Sequence, residues 1–307
     1  MAWQNNFQQE SPARSSTTQP QVTGKLASIK YVEPEEYYWL DGRRYVMGVP
    51  YMLPKDVKEV NRLNFEHYMV RYALKSNYVA PIREPTKILD VGYGTGRWMA
   101  DMADEFPGTQ IVGVDLTPPA LPTIPGNCSF QRGNILRGLP FKDKYFDFVH
   151  QRHLGSAVPV RKWPFIIKEL ERVTCPGGWV ELTEYGPNLE YAGPGTMRVA
   201  AWIEKACEHH NINTRVALYL DTMLRNTGFV NVSTREQALP VGSWGGRLGS
   251  MVATNLETLA QAFKPLAIRF LNLNPSVYDH TVAYGQAECE QLPTKMTLHV
   301  VYGQRAW

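Results

Sequence analysis

The residues best suited to chemistry lie in one short stretch, Ile88-Leu89-Asp90-Val91-Gly92-Tyr93-Gly94-Thr95-Gly96, and in Asp115, which ends the next apolar run. Glycine at every second position from 92 to 96 lets the backbone approach a ligand closely and take dihedrals that a side chain forbids. A carboxylate at 115, at the tip of a strand expected over 110–114, can accept two hydrogen bonds from a ribose diol. Two cofactor classes use such a loop. A dinucleotide fingerprint requires G-x-G-x-x-G, with the third glycine opening the helix beneath a pyrophosphate. Counted from Gly92 that position is Arg97, and counted from Gly94 it is Met99. The dinucleotide pattern therefore fails in both registers, and D-x-G-x-G-x-G followed by an acidic strand end remains.

Alternating apolar runs and helical periodicity must position these groups. Strands are expected over 87–91, 110–114, 129–132, 146–151 and 179–184, with crossover helices over 96–106 and 161–173. This alternation predicts a mainly parallel sheet. Pro176-Gly177-Gly178 turns the chain into the fifth strand. Helices follow near 195–210 and 215–227, then a strand over 229–235. The region from Leu248 to Cys289 reads as helical, divided by Pro265 and Pro275, and 297–302 forms a last, antiparallel strand.

Ahead of this core, residues 1–24 are rich in Gln, Asn, Ser, Thr and Pro and read as a disordered leader. Trp3 and Phe7 are its candidates for docking on a neighbouring subunit, which would make a homo-oligomer. Residues 25–84 form an aromatic N-terminal cap, with Tyr31, Tyr37, Tyr38, Trp39, Tyr45 and Tyr51 interrupted by an Asp41-Gly42 turn. Asp56, with Glu59 three residues on, opens a helix to about Tyr78, and Val57, Val60, Leu63, Tyr68 and Tyr72 recur along it near helical spacing.

Composition bounds the function. A chain of 307 residues buries one substantial core with room for a cap. Its 44% hydrophobic and 20% charged residues are those of a soluble globular protein. No apolar run is long enough to span a bilayer, and the N-terminus lacks a signal-peptide core. A net charge of +3 without a basic block argues against nucleic acid. Four cysteines without a C-x-x-C pair suit free thiols in a reducing compartment and supply no metal site. A cytoplasmic location is expected, or a nuclear one for a regulatory protein.

With these pieces in place the chain resembles the class I S-adenosylmethionine-dependent methyltransferases, and more narrowly the fungal LaeA-type subfamily of secondary-metabolism regulators and pathway enzymes. The resemblance covers residues 38 to 304. It rests on Asp41-Gly42-Arg43-Arg44-Tyr45, Tyr51-Met52-Leu53-Pro54-Lys55-Asp56 with Glu59, Arg62-Leu63 and His67, and Phe146-Asp147-Phe148-Val149-His150-Gln151-Arg152. Pro176-Gly177-Gly178-Trp179-Val180-Glu181, Thr227-Gly228-Phe229-Val230 and Pro240-Val241-Gly242-Ser243-Trp244 complete it. It implies a Rossmann-like α/β fold: a seven-stranded, mainly parallel sheet with helices on both faces. The methyltransferase domain would span 85–307, with a C-terminal helical insertion over about 248–290.

The resemblance also implies S-adenosyl-L-methionine as cofactor and a small, largely apolar natural product as acceptor, methylated on O, N or C. A LaeA-like regulator acting through protein partners, or a cofactor-assisted cyclase, are the alternatives. Asp90 acts from the loop edge, Gly92 and Gly94 border the methionine part, Asp115 the ribose, Leu116 the adenine face, and Asn134 with Ile135 the adenine edge. Many relatives carry an acidic residue where this chain has Asn134, whose amide carbonyl can accept the same bond. Tyr93, bulky between two glycines, either folds over the cofactor or crowds it. Gln151 and Arg152 sit at the carboxyl edge of the sheet, Gln151 toward cofactor and Arg152 toward substrate. His153 is the leading acid–base candidate, with Glu184 and Tyr185 next. A structural histidine and a loop-fixing carboxylate are the plain alternatives for His153 and Glu184. Tyr38, Trp39, Tyr45 and Tyr51, with Trp202 and Trp244, are the expected aromatic lining of the acceptor site.

Overall fold

The computed structural model describes residues 37–307; the expected leader with Trp3 and Phe7, and Tyr31, lie outside them. The aromatic stretch begins as a hairpin of β1 (Tyr37–Leu40) and β2 (Arg43–Val46), with Leu40 paired to Arg43. Asp41 and Gly42 both have positive φ, 49° and 68°, the two-residue turn that Asp-Gly favours because its twist matches the strands.

Helix α1 (Val57–Leu74) starts where expected, with the Asp56 carboxylate accepting the Glu59 N–H at 3.0 Å. Its buried face is not the apolar one read from the sequence. Val57, Tyr68 and Tyr72 are exposed, whereas Glu59, Arg62, Glu66 and His67 are buried. Charges at 59, 62 and 66 recur three and four residues apart, so they share a face and pair with one another instead of facing water.

The chain then alternates through β3 (Lys87–Val91), α2 (Arg97–Glu105), β4 (Gln110–Asp115), β5 (Cys128–Arg132), β6 (Phe146–Arg152), α3 (Trp163–Val173) and β7 (Thr174–Glu190). It continues as α4 (Pro194–Glu208), α5 (Leu220–Thr227), β8 (Phe229–Pro240), α6 (Gly246–Leu271), α7 (Pro275–Gln291) and β9 (Lys295–Arg305). Seven strands form one sheet in the order β5-β4-β3-β6-β7-β9-β8. The first five are mutually parallel, and β9 runs antiparallel to both β7 and β8. Alternation along β3 divides the core: Leu89 and Val91 pack with Trp163 and Ile167 of α3, while Ile88 packs with Met99 and Met102 of α2.

Pro176-Gly177-Gly178 is a loop-out within β7, since Thr174 already pairs with Phe146 before Trp179 pairs with Phe148. Pro265, expected to divide the C-terminal helical region, lies inside a continuous α6. The break falls at Asn272, at φ 51°. Pro275 sits in the first turn of α7, where its missing N–H costs no helical bond. From β3 the chain winds outward to β5 and then returns to the other side of β3 as β6. That reversal opens a crevice at the carboxyl ends of β3 and β6, where open α/β sheets bind ligands.

Candidate active site

The glycine loop fills that crevice. Gly92 and Gly94 have φ of 75° and 58°, and a Cβ on Gly92 would come within 2.7 Å of the Leu154 side chain. The Gly94 N–H donates to Asp115 Oδ2 at 2.9 Å, and Asp115 Oδ1 accepts the Thr117 N–H at 3.0 Å. The strand-tip carboxylate is thus fixed from two sides. One cavity above it is lined by Asp115, Leu116, Asn134 and Ile135. A second is lined by Asp90, Tyr93, Gly94, His150, Arg152 and His153. They share Gly92, Asp115 and Leu154, and both are roofed by Tyr51 and Lys55. The Lys55 Nζ lies 3.8 Å from Asp115 Oδ1 and 4.6 Å from the Tyr51 ring centre, so a cation sits opposite the ribose-type carboxylate. No role had been read for Lys55 from the sequence.

Tyr93 neither folds over this space nor crowds it. Its ring is buried edge-on to Phe130, its hydroxyl donates to the Thr117 carbonyl at 2.7 Å, and it presents only part of its surface to the second cavity. Room for it comes from the neighbouring strand: a Cβ on Gly113 would meet the Tyr93 ring at 2.6 Å. Asn134 Oδ1 accepts the Leu136 N–H at 3.0 Å and caps the short helical turn over 135–137, which leaves one lone pair of that oxygen for an adenine amino group. Gln151 lines neither cavity. Strand alternation puts it on the opposite face from His150 and Arg152, and both its amide atoms are buried without a partner.

Beneath the second cavity the polar side chains form relays. The His150 Nδ1–H donates to Asp90 Oδ1 at 2.8 Å while its ring stacks on Trp98 at 3.8 Å. Arg152 donates to His67 Nδ1 at 2.9 Å, so the His67 proton resides on Nε2 and is donated to Asp101 at 3.0 Å. Burial pushes the His67 pKa down to about 4, despite Asp101. Arg152, expected to face substrate, lines this second cavity and not the larger one that adjoins it.

A much larger cavity, of about 540 Å³, adjoins through Tyr51, Leu63, Glu66 and His153. Leu53, Ile203, Leu256, Leu259 and Phe263 give it an apolar wall. Its polar end is built around Glu66. The Glu66 Oε1 accepts from Arg62 (2.9 Å), Asn255 (3.1 Å) and the Tyr185 hydroxyl (3.1 Å), and Arg62 also grips Glu59. Burial raises the Glu66 pKa, but the Arg62 charge, His153 and the hydrogen bonds from Asn255 and Arg62 together outweigh it and bring the carboxyl down to about 2. Burial likewise drives the Tyr185 hydroxyl well above its ordinary range.

His153 stands where the two spaces meet. It takes a left-handed backbone (φ 55°), stacks on Tyr185 at 4.3 Å, and has no hydrogen-bond partner on either ring nitrogen. Burial pushes its pKa down to about 4, and the Glu66 charge opposes that only in part. Glu184 Oε1 accepts the N–H groups of Leu154 (2.7 Å) and Gly155 (3.0 Å), which fixes the loop after His153. Burial raises the Glu184 pKa to about 8 even against those two bonds.

Of the expected aromatic lining only Tyr51 reaches these cavities. Tyr38 and Tyr45 stack on each other at 5.3 Å, and Tyr45 is wholly buried in a core the cap shares with α4 and α6, among Ala206, Cys207, Phe263 and Leu266. Trp39 is 69% exposed. Trp202 stacks on Tyr278, and Trp244 donates to the Val241 carbonyl at 2.8 Å. Sequence reading assigned no role to Arg62, Glu66, His67 or Asn255; charges spaced by three and four along α1 were the available signal. Among the described residues no group of three or more His, Cys, Asp or Glu is placed to hold a metal, and no helix is long and apolar enough to cross a membrane.

Residues 65–234 match the methyltransferase-domain family. The chain belongs to that family. It is similar to the methyltransferase pytC of Aspergillus terreus, 29% identical over 276 residues that cover 84% of this chain and 82% of that protein. It also resembles the N-methyltransferase sirN of Leptosphaeria maculans, 26% identical over 83% of this chain and 94% of that one. The secondary metabolism regulator laeA of Aspergillus fumigatus is 29% identical over 71% of this chain and 62% of its own length. The sheet order is that of a class I methyltransferase, and S-adenosylmethionine is the cofactor. The site fits that group: two linked cavities meet at a carboxylate on a strand tip, beside Gly92, where a Cβ would collide with the Leu154 side chain that lines both cavities.

Proposed function

We propose that this methyltransferase acts on a small, largely apolar natural product of secondary metabolism, and that its acceptor atom is an oxygen or nitrogen that loses a proton. The observation carrying this reading is the junction at His153 between the donor cavities and a roomy apolar cavity. Asp115, Leu116, Asn134 and Ile135 would hold the nucleoside, and Asp90, Gly92, Gly94 and Arg152 the amino-acid end. When bound, S-adenosylmethionine supplies a methyl group on a positively charged sulfur. The protein's part is to align, to exclude water and to manage one proton.

His153 is neutral at pH 7 because burial disfavours its charged form. Its lone pair is uncommitted, so it can take the acceptor proton, and the ionised Glu66 facing it stabilises the imidazolium as it forms. Glu184 stays protonated at neutral pH; with Oε1 engaged by backbone, its other oxygen can donate to a polar group of the acceptor. Tyr185 supplies the stacking surface that fixes the His153 ring.

The test is to incubate the protein with tritium-labelled S-adenosylmethionine and an organic extract of fungal metabolites. Label should enter the organic-soluble fraction. Label confined to protein would favour the regulatory reading. His153→Gln should lower turnover by roughly 10²–10⁴-fold and leave S-adenosylhomocysteine affinity unchanged; full turnover would remove His153 from the mechanism.

A further inference from the structure

Beyond the acceptor cavity lies a second apolar cavity of about 480 Å³, bounded by α4, α6 and α7. The two spaces have Leu189, Ala200, Ile203, Leu256 and Leu259 in common. All are hydrocarbon side chains, so the boundary between the cavities presents no polar barrier. At the far end Ser250, Thr254, Glu257 and Gln286 mark a mouth to solvent.

Protein interiors pack closely, and apolar space that could collapse normally does. Here the surrounding helices are tied at the edges of the space. Glu288 of α7 accepts the N–H groups of Gly195 (3.1 Å) and Thr196 (2.9 Å), binding α7 to the start of α4. At the same point Gly285 lies so close that a Cβ would come within 3.0 Å of the Thr196 nitrogen. The Tyr278 hydroxyl donates to the Ala260 carbonyl at 2.8 Å, joining α7 to α6. Asn255 joins α6 to Arg62 and Glu66 of α1. Closing the gap between α4 and α6 would break one of these ties, so the space is held open by the frame around it.

We infer that the space between α4, α6 and α7 is a second acceptor subsite, which takes a flexible hydrocarbon tail of the molecule whose reacting end lies at His153. The inference rests on the acceptor reading given above and narrows it: the acceptor is elongated, with one polar, proton-bearing end and a long apolar remainder. The five residues at the junction of the two cavities are all hydrocarbon, while His153, Glu66 and Glu184 line the inner space and Ser250, Thr254, Glu257 and Gln286 the outer one.

The test uses 4-hydroxybenzoate esters of increasing length, methyl, butyl, octyl and dodecyl, titrated into the full chain saturated with S-adenosylhomocysteine. Affinity should rise with chain length, by up to about fourfold for each methylene that is buried. Ala253 lines only the outer cavity and Ala287 stands exposed at its rim. Ala253→Trp should weaken the dodecyl ester by roughly tenfold or more, the loss of several buried methylenes, and leave the methyl ester and S-adenosylhomocysteine unaffected. Ala287→Trp, at an exposed position where folding is not at stake, should act in the same direction. Chain-length dependence that is flat, or equal in wild type and both variants, overturns the inference. A dodecyl ester that responds to Ala253→Trp while the methyl ester fails to bind would uphold the tail site and sink the reading of a proton-bearing acceptor end at His153. Crystals with the dodecyl ester would show the tail between α4 and α6, or else coiled in the inner cavity, which refutes it.

Discussion

Replacing Asp115 by alanine tests the donor site at the point where the most interactions converge. The carboxylate accepts the Gly94 N–H at 2.9 Å and the Thr117 N–H at 3.0 Å, with the Thr117 hydroxyl at 3.2 Å. It is 8% exposed, so the two amides would lose their partner where little water can replace it. Each such loss costs about 1–3 kcal/mol, and a fall in folding stability of roughly 2–4 kcal/mol is expected. The effect on the ligand is separate. Hydrogen bonds from ribose hydroxyls to a charged acceptor contribute about 1.5–3 kcal/mol, which corresponds to S-adenosylhomocysteine binding weakened roughly 10- to 100-fold. Asp115→Asn should fall between, because its one carbonyl oxygen can serve Thr117 while its amide N–H opposes that of Gly94. Calorimetric titration, with near-ultraviolet circular dichroism to confirm folding, measures both. A folded Asp115→Ala variant with wild-type affinity would refute the placement of the ribose at this strand tip.

Three further outcomes are expected. The Glu184 carboxyl has an ordinary pKa of 4.5 that burial raises to about 8, so the native state binds the extra proton between those values and stability falls as pH rises through that window. Glu184→Gln should flatten this fall by on the order of 2–4 kcal/mol, seen in urea melts at pH 5 and pH 9; an unchanged slope would show that Glu184 ionises freely. His153 has the opposite sign: its pKa is lowered from 6.5 to about 4, so its contribution is complete above pH 6.5 and lost as pH falls through 4, and His153→Gln should reduce the acid-limb loss in the same melts. Gly113→Ala places a Cβ 2.4 Å from Met99 Sδ and 2.6 Å from the Tyr93 ring, and should destabilise by about 1–3 kcal/mol. Adding Tyr93→Ser should recover part of that cost in a double-mutant cycle, and strict additivity would show that the ring is not what Gly113 accommodates.

β3, β4 and β6 were legible because they are short, largely buried apolar runs bounded by turn residues, and because D-x-G-x-G-x-G with Asp115 marks the first two of them. By contrast, β7, β8 and β9 run beyond the spans expected for them. The face of α1 was not legible, since Val57, Tyr68 and Tyr72 carry an apolar periodicity at positions that end up exposed. Arg62 and Glu66 find buried partners in Asn255 and Tyr185, which come from α6 and β7 and leave no trace in the local pattern. Trp39, Trp202 and Trp244 drew attention as aromatic residues, but ring type does not say which way a side chain faces. The wall of the acceptor cavity is ordinary Leu, Ile and Phe, indistinguishable in sequence from core. Pro265 shows a limit of the proline rule, since α6 continues through it.

The bond between Arg62 and Asn255 joins residues 193 positions apart. Asn255 also donates to Glu66 and to the Tyr185 hydroxyl, so one amide closes a circuit among three distant segments. Recombination between this gene and a relative's, with a crossover anywhere between α1 and α6, would separate the partners. A protein inheriting α1 without the matching amide would keep its Arg62 ion pairs but bury them short of the hydrogen bonds with Asn255, at a penalty of about 1.5–3 kcal/mol for each bond to a charged group. The cap helix and the C-terminal helices therefore form one heritable unit. Chimeras built to exchange acceptor preference should carry 57–74 and 246–271 together, and keep Tyr185 of β7, the third member of the circuit, with them.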